Sequence, residues 1–402
     1  MDLRHRTGEV TLTLSGADGE PLRDTVVTVE QRRHAFAFGN IAFDLVELID
    51  AVEASGDERA RSDLDRTAGQ WLNLFNTATL PFYWGRYEPQ PGVTDVERIT
   101  RAARWLAERG VTLKGHPLVW HTVQPSWLLG LDLDEVERRQ RSRIRDIVAG
   151  FAGLIDTWDA INEAVIMPVF ANGDNAITPL ARARGRIAMV RMAFDEARAA
   201  NPSATLVLND FDLSSAYECL IEGVLEAGVP IDAIGLQTHM HQGYRGEAYM
   251  QDMLDRFARY RLPLHLTETT LVSGDLMPAE IVDLNDYQIP QWPTTSDGEA
   301  RQADEIVRHY RLLVAHPAVA SINYWGLGDG GMWLGAPGGL VRADGTPKPS
   351  YGALEGLIKG EWWLRPTEMR TDVDARLTVE GFFGDYTATG PGTVTPFQIT
   401  PT

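Results

Sequence analysis

Two glutamates stand where apolar strands should end. The stretch TWDAINEAV (157–165) is a buried-looking run that closes on Asn162 and Glu163. The stretch PLHLTETT (263–270) repeats the device and closes on Glu268. A buried carboxylate is costly unless it is paired or used. Taken singly, each is most simply an ion-pair partner. Taken together, and beside what ends the neighbouring runs, they suggest chemistry. GHPLVWH supplies His116, Trp120 and His121, and LND supplies Asn209 and Asp210. QTHMH supplies Gln237, His239 and His241, while YWGLGDGGMW supplies Trp325, Asp329 and Trp333.

Two carboxyl groups facing one substrate, with tryptophan walls, fit cleavage of a glycosidic bond. One protonates the leaving oxygen. The other attacks the anomeric carbon, or activates a water that does; a retaining pair sits ~5–5.5 Å apart and an inverting pair ~6.5–9.5 Å apart. Tryptophan faces pack against sugar C–H groups, and the ring keeps a polar N–H at its edge. Asn162 is placed to donate to a sugar hydroxyl. No lysine sits at these ends, which argues against Schiff-base chemistry. The expected ligand is a carbohydrate or glycoside, with neither cofactor nor metal. Two alternatives stand beside this reading. His116, His239 and His241 with acidic neighbours could serve a metal-dependent sugar isomerase or hydrolase, although the H-E-x-x-H and H-x-x-E-H spacings are absent. The same end residues could also serve a barrel that binds carbohydrate without cleaving it.

These side chains need a scaffold that gathers strand ends. Eight short apolar runs recur between about 35 and 326: AFAFG, NLFNTATL, TLKGHPLVW, TWDAIN, TLVLN, IDAIGLQT, LPLHLT and ASINYWG. Amphipathic stretches lie between them, at 95–110, 133–153, 180–200, 248–260 and 300–315. Continuous apolar strands alternating with helices predict a parallel sheet covered on its faces. Eight of them predict a closed (β/α)8 TIM barrel, whose active site lies at the C-terminal strand ends. Runs four and seven then fall on opposite sides of the ring. No glycine-rich phosphate turn follows the first run. EVTLTLSG and TVVTVEQ at the start, and ARLTVEGF and GDYTAT at the end, alternate like strands around turn residues. They predict a small β module formed by 1–34 and 361–402, beside a catalytic barrel over 35–360.

The chain of 402 residues suits one large domain with an accessory piece. Its net charge of −19 repels phosphate backbones and anionic membranes, so neither nucleic acid nor a membrane is an expected partner. The sequence leaves the oligomeric state open. The single cysteine, Cys219, cannot form an intrachain disulfide and reads as a small buried side chain. The first thirty residues contain no apolar run of signal-peptide length, so a cytoplasmic location is expected unless a leader was removed. Trp71, Trp105, Trp362 and Trp363 read as packing residues.

Together the motifs resemble glycoside hydrolase family 10, the retaining endo-β-1,4-xylanase family of (β/α)8 enzymes. The resemblance runs from about 35 to 360. GHPLVWHTVQPSW, WDAINEA, LND, IGLQTHMH, LTE and YWGLGDGGMW are similar to that family's successive strand-end segments. It implies Glu163 as general acid/base, Glu268 as nucleophile and Asn162 as the holder of the sugar 2-hydroxyl. It implies that His116, Trp120, Asn209, Gln237 and His239 surround the reacting sugar, with Trp325 and Trp333 capping it. Three departures stand out. TATLPFYWGRYEP (77–89) replaces a polar segment that carries Glu, Asn and Lys in the family, so Tyr83 and Trp84 become candidate aromatic contacts. Val123 replaces a Gln, and Thr270 replaces the Asp that orients the strand-six His. The long segment DYQIPQWPTTSDGE (286–299) makes Trp292 a candidate lid. These departures lead to an expected substrate that is a short oligosaccharide or a glycoside with an apolar aglycone, rather than long xylan.

Overall fold

The computed structural model describes residues 2–401. Two strands open the chain, β1 (Thr7–Thr13) and β2 (Val26–His34). Eight follow between helices: β3 (Ala37–Ile41), β4 (Thr77–Pro81), β5 (Thr112–His116), β6 (Thr157–Asn162), β7 (Thr205–Asp210), β8 (Ala233–Met240), β9 (Leu264–Leu271) and β10 (Val319–Tyr324). They pair in parallel in that order, and β10 pairs back onto β3, so the ring closes. This is a (β/α)8 barrel. Its strands are buried from both sides, as Leu206, Val207 and Leu208 at 0% exposure show, which is why they read as apolar runs rather than as alternation.

The covering helices are amphipathic, and some carry a side-chain cap at their N-terminus. In the helix Leu133–Phe151, the Asp132 side chain accepts from the Glu135 N–H, and Val136, Ile144, Ile147, Val148 and Phe151 form the buried stripe. The stretch 180–200, which reads as one helix, is two: Ile177–Arg184 and Arg186–Ala200. Gly185 at φ 84° breaks it. The run at 73–80 enters its strand late, because Asn73 and Leu74 complete the helix Glu58–Leu74. Cys219 is exposed on the helix Ser215–Glu226, not buried: the buried stripe of that helix is taken by Tyr217, Leu220, Ile221 and Val224.

The chain ends meet in β structure. After the barrel come β11 (Thr367–Arg370), β12 (Arg376–Phe382), β13 (Gly384–Gly390) and β14 (Thr393–Ile399). Strand β1 pairs with β12, and a second sheet runs β11-β2-β13-β14. Their inner faces share a separate core that includes Val27, Val29, Leu377, Val379 and Tyr386. Arg6 donates to the carbonyls of Val314 (3.0 Å) and His316 (2.9 Å), just before β10 begins. The terminal strands therefore sit at the N-terminal ends of the barrel strands, away from the strand ends that carry Glu163 and Glu268.

Close packing inside the ring fixes one glycine. A Cβ on Gly115 of β5 would lie 2.0 Å from Cζ3 of Trp158, and Trp158 is fully buried. Gly115→Ala should therefore lower stability by about 1–3 kcal/mol, read as a shift in the chemical denaturation midpoint.

Candidate active site

The C-terminal ends of β5 to β10 bring the expected polar side chains together. Glu163 follows β6, and Glu268 lies within β9. These strands are three places apart in the ring rather than diametrically opposite. The gap between them is filled by Asn209 of β7 and Gln237 of β8. A continuous amide relay links the carboxylates. Asn209 Nδ2 donates to Glu268 Oε1 (3.0 Å) and to Asn162 Oδ1 (2.7 Å). Asn162 Nδ2 donates to Glu163 Oε1 (3.1 Å). Gln237 Nε2 donates to Asn162 Oδ1 (3.0 Å) and reaches Glu163 Oε1 (3.4 Å). Thr267 completes the relay by donating to Asn209 Oδ1 at 2.5 Å.

Local backbone features aim these groups. Register shifts interrupt β6 between Asp159 and Ile161, and β8 between Leu236 and Gln237. Such irregularities re-aim side chains at strand ends. Gly235 of β8 leaves room for Asn209, whose Oδ1 would lie 2.5 Å from a Cβ there. Glu163 itself sits at φ 59°, in the left-handed region. Its N–H donates to Asn209 O (2.8 Å), and Asp210 Oδ2 accepts from the Val165 N–H (3.0 Å). The strained turn is thus held from β7.

The two glutamates have unequal surroundings. Loss of hydration pushes the Glu163 carboxyl from the usual 4.5 up to about 8. The Trp120 N–H, 2.7 Å from Oε2, opposes this, while the charges of Glu268 and Asp210 add to it. Burial also lifts Asp210 to about 7, against the backbone N–H groups of Val165 and Asp212 that it accepts. Glu268 accepts from Asn209 and, at 3.1 Å, contacts His239 Nε2. One carboxyl is therefore driven toward its acid form, and the other is cradled by donors, the division that acid and nucleophile roles require.

Aromatic rings line the remaining wall. Trp120 lies 5.6 Å from Tyr83, and Trp325 packs edgewise on His116 (5.2 Å) and Phe43 (5.9 Å). Trp333 lies 5.1 Å from His239. Two candidate contacts are corrected. Trp84 is 6% exposed; its N–H donates to Glu88 (2.8 Å), and its ring packs on Trp127 and the Arg143 guanidinium. Leu80 and Phe82 are likewise buried in the core, so Tyr83 alone of this aromatic run turns to the site. The reason is local: the run leaves β4 at Pro81 and enters the short helix Trp84–Tyr87 with Tyr83 at its N-cap, so these side chains do not share one face. Trp292 is no lid. It donates to Asp275 O (2.8 Å) and forms, with Val272, Met277 and Ala336, a small core that anchors its own loop.

Three functional neighbours were not singled out from the sequence. Asp159 accepts from His116 Nδ1 (2.7 Å) and pairs with Lys114 Nζ (2.8 Å) inside the ring. Burial pushes Asp159 up, but the Lys114 charge and the His116 hydrogen bond hold it below the usual carboxylate range. The available signal was an Asp and a Lys inside otherwise apolar runs on adjacent strands. Phe43 follows β3 and faces Tyr83 and Trp325; nothing in its surroundings in the sequence marks it. Asp329, by contrast, pairs with buried Lys348 (2.6 Å) and braces the last loop. Among the described residues, no three His, Cys, Asp or Glu side chains gather as a metal site.

The profile of glycosyl hydrolase family 10 matches residues 73–356, more than half of the chain. The chain belongs to this family. It is a glycosidase of the endo-1,4-β-xylanase-like kind. Its relatives include a β-1,4-xylanase of Dictyoglomus thermophilum, 27% identical over 62% of this chain and 70% of that one. Endo-1,4-β-xylanase B of Thermotoga neapolitana is 28% identical over 69% of this chain and 78% of its own. The anti-sigma-I factor RsgI6 of Acetivibrio thermocellus is 23% identical over 96% of this chain and 45% of its own, so that likeness extends into the terminal strands. Among solved structures, xylanase 10B of Thermotoga petrophila RKU-1, in complex with xylobiose, superposes with a TM-score of 0.64 over 81% of this chain and 95% of that one, at 23% identity.

The raised Glu163 carboxyl has a stability signature. Between its ordinary value of 4.5 and about 8, the folded protein holds a proton that the unfolded chain has released. Stability must then fall as pH rises through that window. Glu163→Gln removes the effect. The variant should gain thermal stability over the wild type progressively from about pH 5 to about pH 8, as measured by calorimetry.

Proposed function

We propose that this family 10 glycosidase retains anomeric configuration through double displacement, with Glu268 as nucleophile and Glu163 as acid/base. The observation that carries the proposal is the amide relay, which ties two carboxyl groups with unequal hydrogen-bonded surroundings to one site. In the first step, a Glu268 oxygen attacks the anomeric carbon and the glycosidic C–O bond breaks. Glu163 gives its proton to the departing oxygen. In the second, Glu163, now a carboxylate, takes a proton from water as that water attacks the anomeric carbon, and Glu268 leaves. Asn162 has two amide N–H donors. One is given to Glu163, and the other is available for the sugar 2-hydroxyl. His116, held through Nδ1 by Asp159, and Gln237 complete the surroundings of the reacting sugar, with Trp325 and Trp333 above it.

The substrate we propose is a short xylo-oligosaccharide or related β-glycoside, including one with an apolar aglycone, rather than long xylan. The names of the relatives support the sugar class. Two features support the short length. Tyr83 occupies the β4 end of the cleft, packed on Phe43 and Trp120. Across the ring, the loop after β9 leans over the short loop after β8, where Gln242 donates to Pro278 O (2.9 Å) and Ile281 O (2.8 Å). It meets the loop after β6 through Asn172 and Asp283 (2.7 Å). The rim above β7 and β8 is thereby bridged.

Glu268→Ala should abolish hydrolysis of an activated aryl β-xylobioside, and added azide, entering from the face that Glu268 vacates, should restore turnover with an α-glycosyl azide as product. Unchanged hydrolysis, or a β-azide, would overturn the assignment. The activity of the wild type should fall as pH rises through about 8, the Glu163 value; Glu163→Gln, assayed on a substrate whose leaving group needs no acid, should lose that alkaline limb. Xylotetraose should be cleaved at least about 10-fold more efficiently, per bond, than insoluble xylan, and robust xylan depolymerisation would remove the short-substrate proposal.

A further inference from the structure

We infer that Thr270 is a positioning residue: its hydroxyl donates to Nδ1 of His239 and so fixes that imidazole as the neutral tautomer whose one N–H, on Nε2, points at Glu268. The tautomer stands on geometry alone; its kinetic consequence rests on the reading of Glu268 as nucleophile.

The register of β8 and β9 creates the contact. Gln237 lies opposite Glu268, and His239 opposite Thr270. Residues two apart on a strand share a face, so Glu268 and Thr270 meet one imidazole from the same strand. Thr270 Oγ1 lies 2.9 Å from His239 Nδ1, and His239 Nε2 lies 3.1 Å from Glu268 Oε2. Neither group can turn freely. Thr270 is 1% exposed, and its methyl lies against Gly338, where an added Cβ would come within 2.8 Å of Cγ2. The imidazole is boxed by Trp333 at 5.1 Å, Trp325 at 6.0 Å and His241 at 5.8 Å.

Two proton arrangements compete. An imidazolium would donate to both Thr270 and Glu268. The Thr270 hydroxyl hydrogen would then need another acceptor, and among the described residues Thr270 Oγ1 has no hydrogen-bond partner but His239. A buried donor left without an acceptor is unfavourable. In the neutral arrangement Thr270 donates to Nδ1, Nε2–H donates to the Glu268 carboxylate, and each group is satisfied. The other charged or titratable groups around the ring do not alter this. Glu268 is the single carboxylate within ion-pair distance of His239 among the described residues, and burial keeps His241 neutral.

A neutral donor has a consequence for the reaction. When the Glu268 oxygen bonds to the anomeric carbon, its negative charge is lost to the ester. An imidazolium would then be stranded beside a neutral group. A neutral imidazole merely keeps a weaker hydrogen bond. Thr270 thus favours the glycosyl-enzyme over a site that places a cation at the nucleophile.

The test uses the full chain labelled with ¹⁵N-histidine, with His239 assigned through His239→Gln. Long-range ¹H–¹⁵N spectra at neutral pH should show a protonated Nε2 and an unprotonated, hydrogen-bonded Nδ1. A doubly protonated ring, or a proton on Nδ1, would overturn the inference. Thr270→Ser keeps the hydroxyl, and Thr270→Val keeps the shape without it. The serine variant should hold kcat/KM for an aryl xylobioside within about twofold, and the valine variant should lose about 10-fold, with the Nδ1 resonance moved to its unbonded position. Equal behaviour of the two variants would mean that the hydroxyl positions nothing. The spectra read the tautomer in resting enzyme, whereas azide rescue of Glu268→Ala reads the nucleophile, so failure of one leaves the other standing.

Discussion

Asn162 shares one side-chain oxygen between two donors, Asn209 and Gln237, and gives a hydrogen of its own to Glu163. Much of the site depends on that sharing. Buried amides have fixed numbers of donors and acceptors, so each of these side chains is committed to one orientation by its neighbours. The commitment passes along the relay from Glu163 to Glu268 across two intervening strands. A network satisfied in this way is rigid because any rotation would leave a polar group unpartnered in a dry place. The same saturation leaves few free valences, and those face the cleft.

Beneath the relay lies a second polar layer inside the ring. Lys114, Asp159 and His116 stack there, with Asp159 taking both contacts on one oxygen. Such a buried charge pair contributes little net stability, since its attraction is offset by desolvation. Its value here is orientation: it selects which nitrogen of His116 carries the proton toward Asp159, and hence which nitrogen remains for a sugar hydroxyl. Electrostatics and stereochemistry are thus set from below the cleft as well as around it.

Much of this was legible in the sequence, for physical reasons. Strands buried on both faces must be apolar throughout, so the eight runs stood out, and any polar residue at their ends was conspicuous. Glu163, Glu268, Asn162, Asn209, Gln237 and His239 were visible for that reason, and the structure gathers all six. What escaped depends on direction rather than composition. LPFYWG reads as a uniform aromatic patch, yet Phe82 and Trp84 pack inward and Tyr83 faces the cleft. Trp292 sits in a long loop, which suggested mobility, but its indole is the core of that loop. Asp159 and Lys114 were hidden because each lies inside an otherwise apolar run, and their pairing exists only across two strands.

The pairing of β1 with β12 joins Thr7 to Phe382. This closes almost the whole chain into a single loop. A contact between such distant residues carries a large closure entropy if formed from an open coil, and little if the barrel has already brought both ends to its underside. The terminal sheets are therefore expected to assemble late, on a completed ring. Once formed, they work as a latch on the ring's history: a barrel with any strand missing or misplaced would hold β1 and β12 apart and leave their backbone edges open.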